Sequence, residues 1–189
     1  AWRLRNVTGP GSTVGEMTDS GAFPDGFEWG TATAAHQIEG GNWNNDWWLW
    51  EHTEGSGTKE PSGDACDSWN RWEADADLVA SYGLGSYRFS IEWSRIEPED
   101  GEWSTAALDH YARVCDGLRE RGVRPLVTFP HFTAPRWFAA RGGWEHADAA
   151  ARFAGFCERA AAHLGPDRMH RACTINEPNI VSFIGYRLG

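Results

Sequence analysis

The stretch RACTINEPN, residues 171–179, decides the reading of this chain. Its first six residues, 171–176, read as a short strand. Glu177 follows at the strand end and Pro178 comes directly after it, and residues 180–188 can open a helix. Working back from there, Ala149, Phe153, Phe156 or Cys157, Ala160 and Leu164 recur at helical spacing, with Gly165 as the stop. Residues 124–129 form another buried-looking strand. Before it, Leu108, Tyr111, Cys115 and Leu118 mark one face of a helix, with Ser104 as N-cap and Gly122 as stop. Residues 86–91 read as a strand, and Trp69, Trp72, Ala76, Val79 and Tyr82 as a helix face ending at Gly83. A first strand falls in 27–33, followed by a long loop, about 35–65, rich in Gly, Asn and Trp. Loops of that length inside compact domains are functional or disordered, and the tryptophans favour function.

Strict alternation of strand and helix implies parallel strands joined by right-handed crossovers. An open doubly wound sheet and a (β/α)8 TIM barrel both satisfy it. The open sheet usually carries a Gly-rich phosphate turn after its first strand, and neither G-x-G-x-x-G nor G-x-x-x-x-G-K-[ST] occurs. A barrel places chemical residues at the C-terminal ends of several strands, which is the pattern here. His36, Gln37, Glu39 and Asn42 follow the first strand. Arg88, Glu92 and Arg95 surround the second, His131 and Phe132 follow the third, and Asn176, Glu177 and Asn179 follow the fourth. A complete barrel needs about 250 residues, so four strands make an α/β half-barrel, the first four β/α units. In a barrel all four groups face one mouth. Amides, imidazoles, a guanidinium and a carboxyl suit a polyhydroxylated ligand, since each sugar hydroxyl both donates and accepts.

Composition narrows the partners. The chain has 189 residues, 41% of them apolar, with a net charge of −10. That charge argues against nucleic acid, which needs a basic face, and no apolar run approaches a membrane span. Twelve tryptophans serve either a Trp-rich core or aromatic ligand walls. Cys66, Cys115, Cys157 and Cys173 are widely spaced and read as buried free thiols in a reducing, cytoplasmic setting. No metal constellation and no G-x-S-x-G elbow occurs, so no metal and no cofactor is expected. Residues 1–22 read as a disordered tail, with Met17 as the expected natural start and 23–189 as the domain. The sequon at Asn6 carries little weight, since no apolar signal segment precedes it.

From the residues alone, Glu177 is either a solvated loop carboxylate or a general acid, half-buried under aromatic walls that raise its pKa. Arg88 either makes a structural ion pair or holds a second carboxylate ionised. His131 is either a core or loop residue or a ligand contact.

Four segments carry a family resemblance. FPDGFEWGTATAAHQIEG (23–40), YRFSIEWSRIEP (87–98), GVRPLVTFPHFTAPRWF (122–138) and TINEPN (174–179) resemble, in this order, the first half of the family 1 glycoside hydrolases, the β-glucosidase-like enzymes. The resemblance implies a (β/α)8 barrel and retaining hydrolysis of small-molecule β-glycosides. It implies that Glu177 is the general acid/base and that Asn176 contacts the sugar 2-hydroxyl. It further implies that Gln37 and His131 bind the nonreducing sugar and that Arg88 lies against the nucleophilic carboxylate. Two departures stand out. Phe132 occupies a position that is commonly Trp, which keeps an aromatic face and loses the indole donor. The family's nucleophile, a Glu in an E-N-G motif, has no counterpart in these 189 residues. The 189 residues alone are therefore expected to be inactive and prone to aggregate. The alternative is a noncatalytic carbohydrate-binding remnant of the same fold.

Overall fold

The computed structural model describes residues 23–188. The expected tail over 1–22, its start at Met17 and the sequon at Asn6 lie outside the described residues. In chain order the elements are β1 (Gly30–Ala32), α1 (Ala35–Ile38), α2 (Asp46–Glu51), α3 (Ser68–Ser81), β2 (Ser86–Ser90), α4 (Trp93–Ile96), α5 (Thr105–Glu120), β3 (Arg124–Thr128), α6 (Arg136–Ala140), α7 (Ala149–Leu164), β4 (Arg171–Cys173) and α8 (Pro178–Phe183). A 3-10 turn, Gly143–Glu145, precedes α7, and a π turn, Ile184–Leu188, continues α8.

The strands form one sheet in the order β1-β2-β3-β4, and every pairing is parallel. That is the expected βα alternation, and the three long helices α3, α5 and α7 fall where the apolar periodicity puts them. Ser104 caps α5, its side chain accepting from Ala107 N at 3.2 Å. The three glycines expected to stop the helices, Gly83, Gly122 and Gly165, have φ of +70°, +74° and +74°, a conformation costly for any residue with a Cβ.

Register divides the sheet into two faces. Arg88 pairs with Leu126, and Thr128 pairs with both Ser90 and Cys173. Partners in a ladder point the same way and neighbours along a strand point oppositely. Arg88, Ser90, Leu126, Thr128 and Cys173 therefore share one face, and Tyr87, Phe89 and Val127 share the other. The second face is apolar and belongs to the core, with Val79, Leu118, Phe156 and Leu164 from the helices. Trp93 is 1% exposed. Its ring lies 5.0 Å from Phe156, nearly parallel, and 4.8 Å from Phe138, while its indole N–H donates to Glu97 Oε2 at 2.7 Å.

The segment 35–65, expected to be loop throughout, contains α1 and α2. Both are too short to show a periodicity, and local chemistry builds them. Asn45 caps α2 by accepting from Trp48 N at 2.8 Å. Asp46 N donates to Ala134 O and Arg136 N donates to Asn44 O, which tie this segment to the one after β3. The short helices α4 and α6 were hidden for the same reason. All four cysteines are free, but Cys66 is exposed, so the expectation of burial fails there.

Candidate active site

Parallel strands bring their C-terminal ends to one edge of the sheet, and the chemical residues gather there. Arg88 projects from the polar face of β2. Its Nε donates to Thr128 Oγ1 at 2.8 Å, and its Nη2 donates to Asn176 Oδ1 at 2.6 Å. Thr128 is fully buried at the end of β3, and Asn176 is 6% exposed beyond β4. Asn176 N also donates to Pro130 O, which fastens the β4 segment to the β3 segment. A guanidinium only donates, so the amide atom that faces Arg88 is Oδ1 and Nδ2 is turned away from it. Among the described residues Arg88 has no carboxylate partner, so the structural ion pair is not found.

His131 stands next to this cluster. Burial, and then the positive charge of Arg88, push its pKa down to about 4. It is neutral near pH 7, and its buried Nδ1 has no hydrogen-bond partner. Phe132 meets His131 edge-on at 5.0 Å and stacks on Trp47 at 5.6 Å with the planes 4° apart. Trp47 is held by α2, whose Asp46 carboxylate accepts from Ala134 N and Trp47 N, each at 2.9 Å. Burial pushes the Asp46 carboxyl up to about 7, outweighing these donors. Asp46, Trp47, Phe132, Trp144, Ile180 and Tyr186 line a cavity of about 370 Å³ beside the cluster. Among the described tryptophans, Trp93 builds the core, as one of the two expected readings has it, and Trp47 and Trp144 line this cavity.

Glu177 initiates α8 in a left-handed conformation, φ 46° and ψ 58°. Such a conformation costs about 1–2 kcal/mol for a residue with a side chain. Its carbonyl accepts from Ile180 N and Val181 N, while its side chain makes no capping bond. Glu177 is exposed, so the half-buried setting expected for it is not supplied by the described residues. Gln37 lies on α1 at the same edge, exposed, with no side-chain bond to Arg88, His131 or Asn176.

Other strand-end groups turn away from the mouth. Glu39 is buried and accepts from Arg95 Nε at 2.8 Å, Tyr111 OH at 2.7 Å and Asn42 Nδ2 at 3.3 Å. Arg95 in turn covers the Trp69 ring at 4.0 Å. These residues lock the β1 loop to α4 and α5, so the expectation that all four groups converge is corrected for Glu39, Asn42 and Arg95. His36 is likewise tied up, with Nε2 bonded to Glu51 Oε1 at 2.6 Å and Nδ1 accepting from Asn45 Nδ2 at 3.0 Å. Sequence reasoning passed over Thr128, Asp46 and the Trp47–Phe132 stack. Thr128 lies on the same face as Arg88 through the register of β2 with β3, which alternation within either strand does not give. Among the described residues no three His, Cys, Asp or Glu side chains cluster as metal ligands.

The profile of Glycosyl hydrolase family 1 matches residues 19–189, nearly all of the chain. The chain belongs to glycosyl hydrolase family 1. Among curated members it is similar to Beta-glucosidase A of Thermotoga maritima, 39% identical over 174 residues, covering 88% of this chain and 39% of the relative. It is also similar to Cytosolic beta-glucosidase of Homo sapiens, 38% identical over 178 residues, covering 89% and 38%. Among solved structures it resembles the Thermotoga maritima β-glucosidase in complex with castanospermine, with a TM-score of 0.82, 38% identity and coverage of 86% and 38%. It resembles as well a β-glycosidase from Pyrococcus horikoshii, with a TM-score of 0.80, 40% identity and coverage of 87% and 38%. The chain thus spans about two-fifths of the length of these family members. Its four parallel β/α units form part of the family's (β/α)8 barrel.

Proposed function

We propose that residues 23–189 are the N-terminal half of the catalytic barrel of a retaining β-glycosidase of the β-glucosidase type. The full-length protein then hydrolyses terminal β-D-glycosidic bonds of small-molecule glycosides in the cytoplasm. The observation that carries this reading is the clamp of Arg88 on Asn176, one residue before Glu177, at the C-terminal edge of a parallel sheet.

In this reading Glu177 donates its proton to the glycosidic oxygen as the C1–O bond breaks. A nucleophilic carboxylate from outside these 189 residues bonds to C1. A retaining mechanism sets the two carboxyl groups about 5–5.5 Å apart. Glu177, now ionised, takes a proton from water, and the water oxygen displaces the nucleophile from C1. Asn176 Nδ2, the free end of its amide, donates to the sugar 2-hydroxyl. Neutral His131 and exposed Gln37 bind the outer hydroxyls, and the Arg88 guanidinium faces the nucleophile. The 189 residues alone hold one of the two carboxyl groups and are inactive in this reading.

The test is Glu177→Gln in the full-length protein, assayed on alkyl and activated aryl β-glucosides. The expected loss on the alkyl glucoside is about 10²–10⁴-fold, with a much smaller effect on glycosylation by the activated substrate. An unchanged rate on the alkyl glucoside, or an inverted product, would refute the assignment. Sugar binding without turnover in the unmutated full-length protein would leave a carbohydrate-binding remnant instead.

A further inference from the structure

We infer that Thr128 is a positioning residue for this reaction, acting on Asn176 through Arg88. The inference rests on the proposed role of Asn176 at the sugar 2-hydroxyl. Thr128 is 0% exposed, and its hydroxyl meets Arg88 on the neighbouring strand. Arg88 Nε is a donor, so Thr128 Oγ1 must accept, and the 2.8 Å bond fixes the plane of the guanidinium. With that plane fixed, Nη2 reaches Asn176 Oδ1 at 2.6 Å. Among the described residues the other hydrogen-bond partner of Nη2 is Cys173 Sγ at 3.8 Å, too long and too weak to orient it. The chain of bonds therefore runs from β3 to β2 to the segment that follows β4, and each link has one chemically allowed direction. Its consequence is at the far end: Asn176 presents Nδ2 outward as a donor, not Oδ1 as an acceptor.

Backbone register supports the assignment. Thr128 pairs with Ser90 on one side and Cys173 on the other, which centres it between β2, which carries Arg88, and β4, which leads into Asn176. A valine fills the same volume there and offers no acceptor. Arg88 Nε would lose its partner, the guanidinium could swing, and Asn176 could rotate its amide.

The experiment uses the full-length protein with Thr128→Val, Thr128→Ser and Asn176→Ala, each assayed on a β-glucoside and its 2-deoxy analogue. The readout is the ratio of kcat/KM for the parent over the 2-deoxy substrate. Thr128→Val should lower that ratio about tenfold, the size of one hydrogen bond lost next to a charge. Thr128→Ser should restore it. A merely structural role would lower both substrates together and leave the ratio unchanged, and that result overturns the inference. If Thr128→Val does not fold, Thr128→Ala takes its place: it too lacks the acceptor and must lower the ratio, and an unchanged ratio there overturns the inference. Asn176→Ala separates the two failures. A ratio that falls in Asn176→Ala but not in Thr128→Val sinks the role of Thr128 alone. A ratio that moves in neither sinks the role of Asn176 on which it rests.

Discussion

The two faces of the central sheet come from alternating residues of the same strands, and they end in opposite conditions. Toward the helices, Tyr87, Phe89 and Val127 join a continuous apolar core around Trp93. Toward the other side, Arg88, Ser90 and Thr128 hold polar groups that satisfy one another and leave selected valences open. Ser90 Oγ accepts from Ala35 N at 2.7 Å and so fastens α1. Thr128 and Asn176 together use two arms of Arg88. The apolar face gains from complete contact, because every void there forfeits dispersion and hydration free energy. The polar face gains from incomplete contact, because a donor already bound on all sides cannot meet a substrate. Stability and chemistry are thereby carried by different atoms of one sheet.

That contrast can be broken or sharpened by three substitutions beyond those already described. The largest effect is expected from Trp93→Ala, which opens the core and strips Glu97 Oε2 of its indole donor. It should cost about 3–5 kcal/mol in denaturant unfolding, with the kcat/KM of the molecules still folded changed little. A large loss of activity at full occupancy of the native state would show that the two faces are not separable.

His110 comes next. It is 7% exposed and stacks on Trp69 at 3.8 Å. Burial, and then Arg113 and Arg95, push its pKa down from 6.5 to about 4. Between those values the unfolded chain binds the proton and the folded chain does not. Stability is therefore full above pH 6.5 and is lost as pH falls toward 4, by about 2 kcal/mol at pH 5. His110→Phe should flatten this part of the stability profile, measured by urea unfolding at pH 7 and pH 5. An unchanged slope would move the acid sensitivity to other groups.

The smallest effect is expected from Phe132→Leu, which removes the stack on Trp47. Stability should fall by about 0.5–1.5 kcal/mol, since the pair lines a cavity rather than the core. A loss as large as that of Trp93→Ala would show the open side to be packed like the closed one.

Much of this was legible in the chain as written. The helices α3, α5 and α7 announce themselves because sixteen residues of amphipathic pattern, as in α5 and α7, are long enough to repeat. The strands were legible in order and direction, although β1 and β4 are three residues each and shorter than expected. The site was legible as a set of strand-end residues but not as a selection among them. Glu39 and Arg95 have the same residue types as a catalytic pair, and only their burial against Tyr111 and Trp69 assigns them to structure. The exposure of Glu177 could not be read from its neighbours either, since what surrounds a carboxyl depends on segments distant in the chain.

The sequence by itself determined the alternation of strands and helices, the parallel sheet and the family, because those depend on local periodicity and on ordered short motifs. Tertiary structure alone decided which polar groups meet: Arg88 with Thr128 40 residues away and with Asn176 88 residues away. Hydrogen-bond direction and burial are properties of atoms brought together in space. No spacing along the chain specifies that the amide of Asn176 turns its oxygen, not its nitrogen, to a guanidinium.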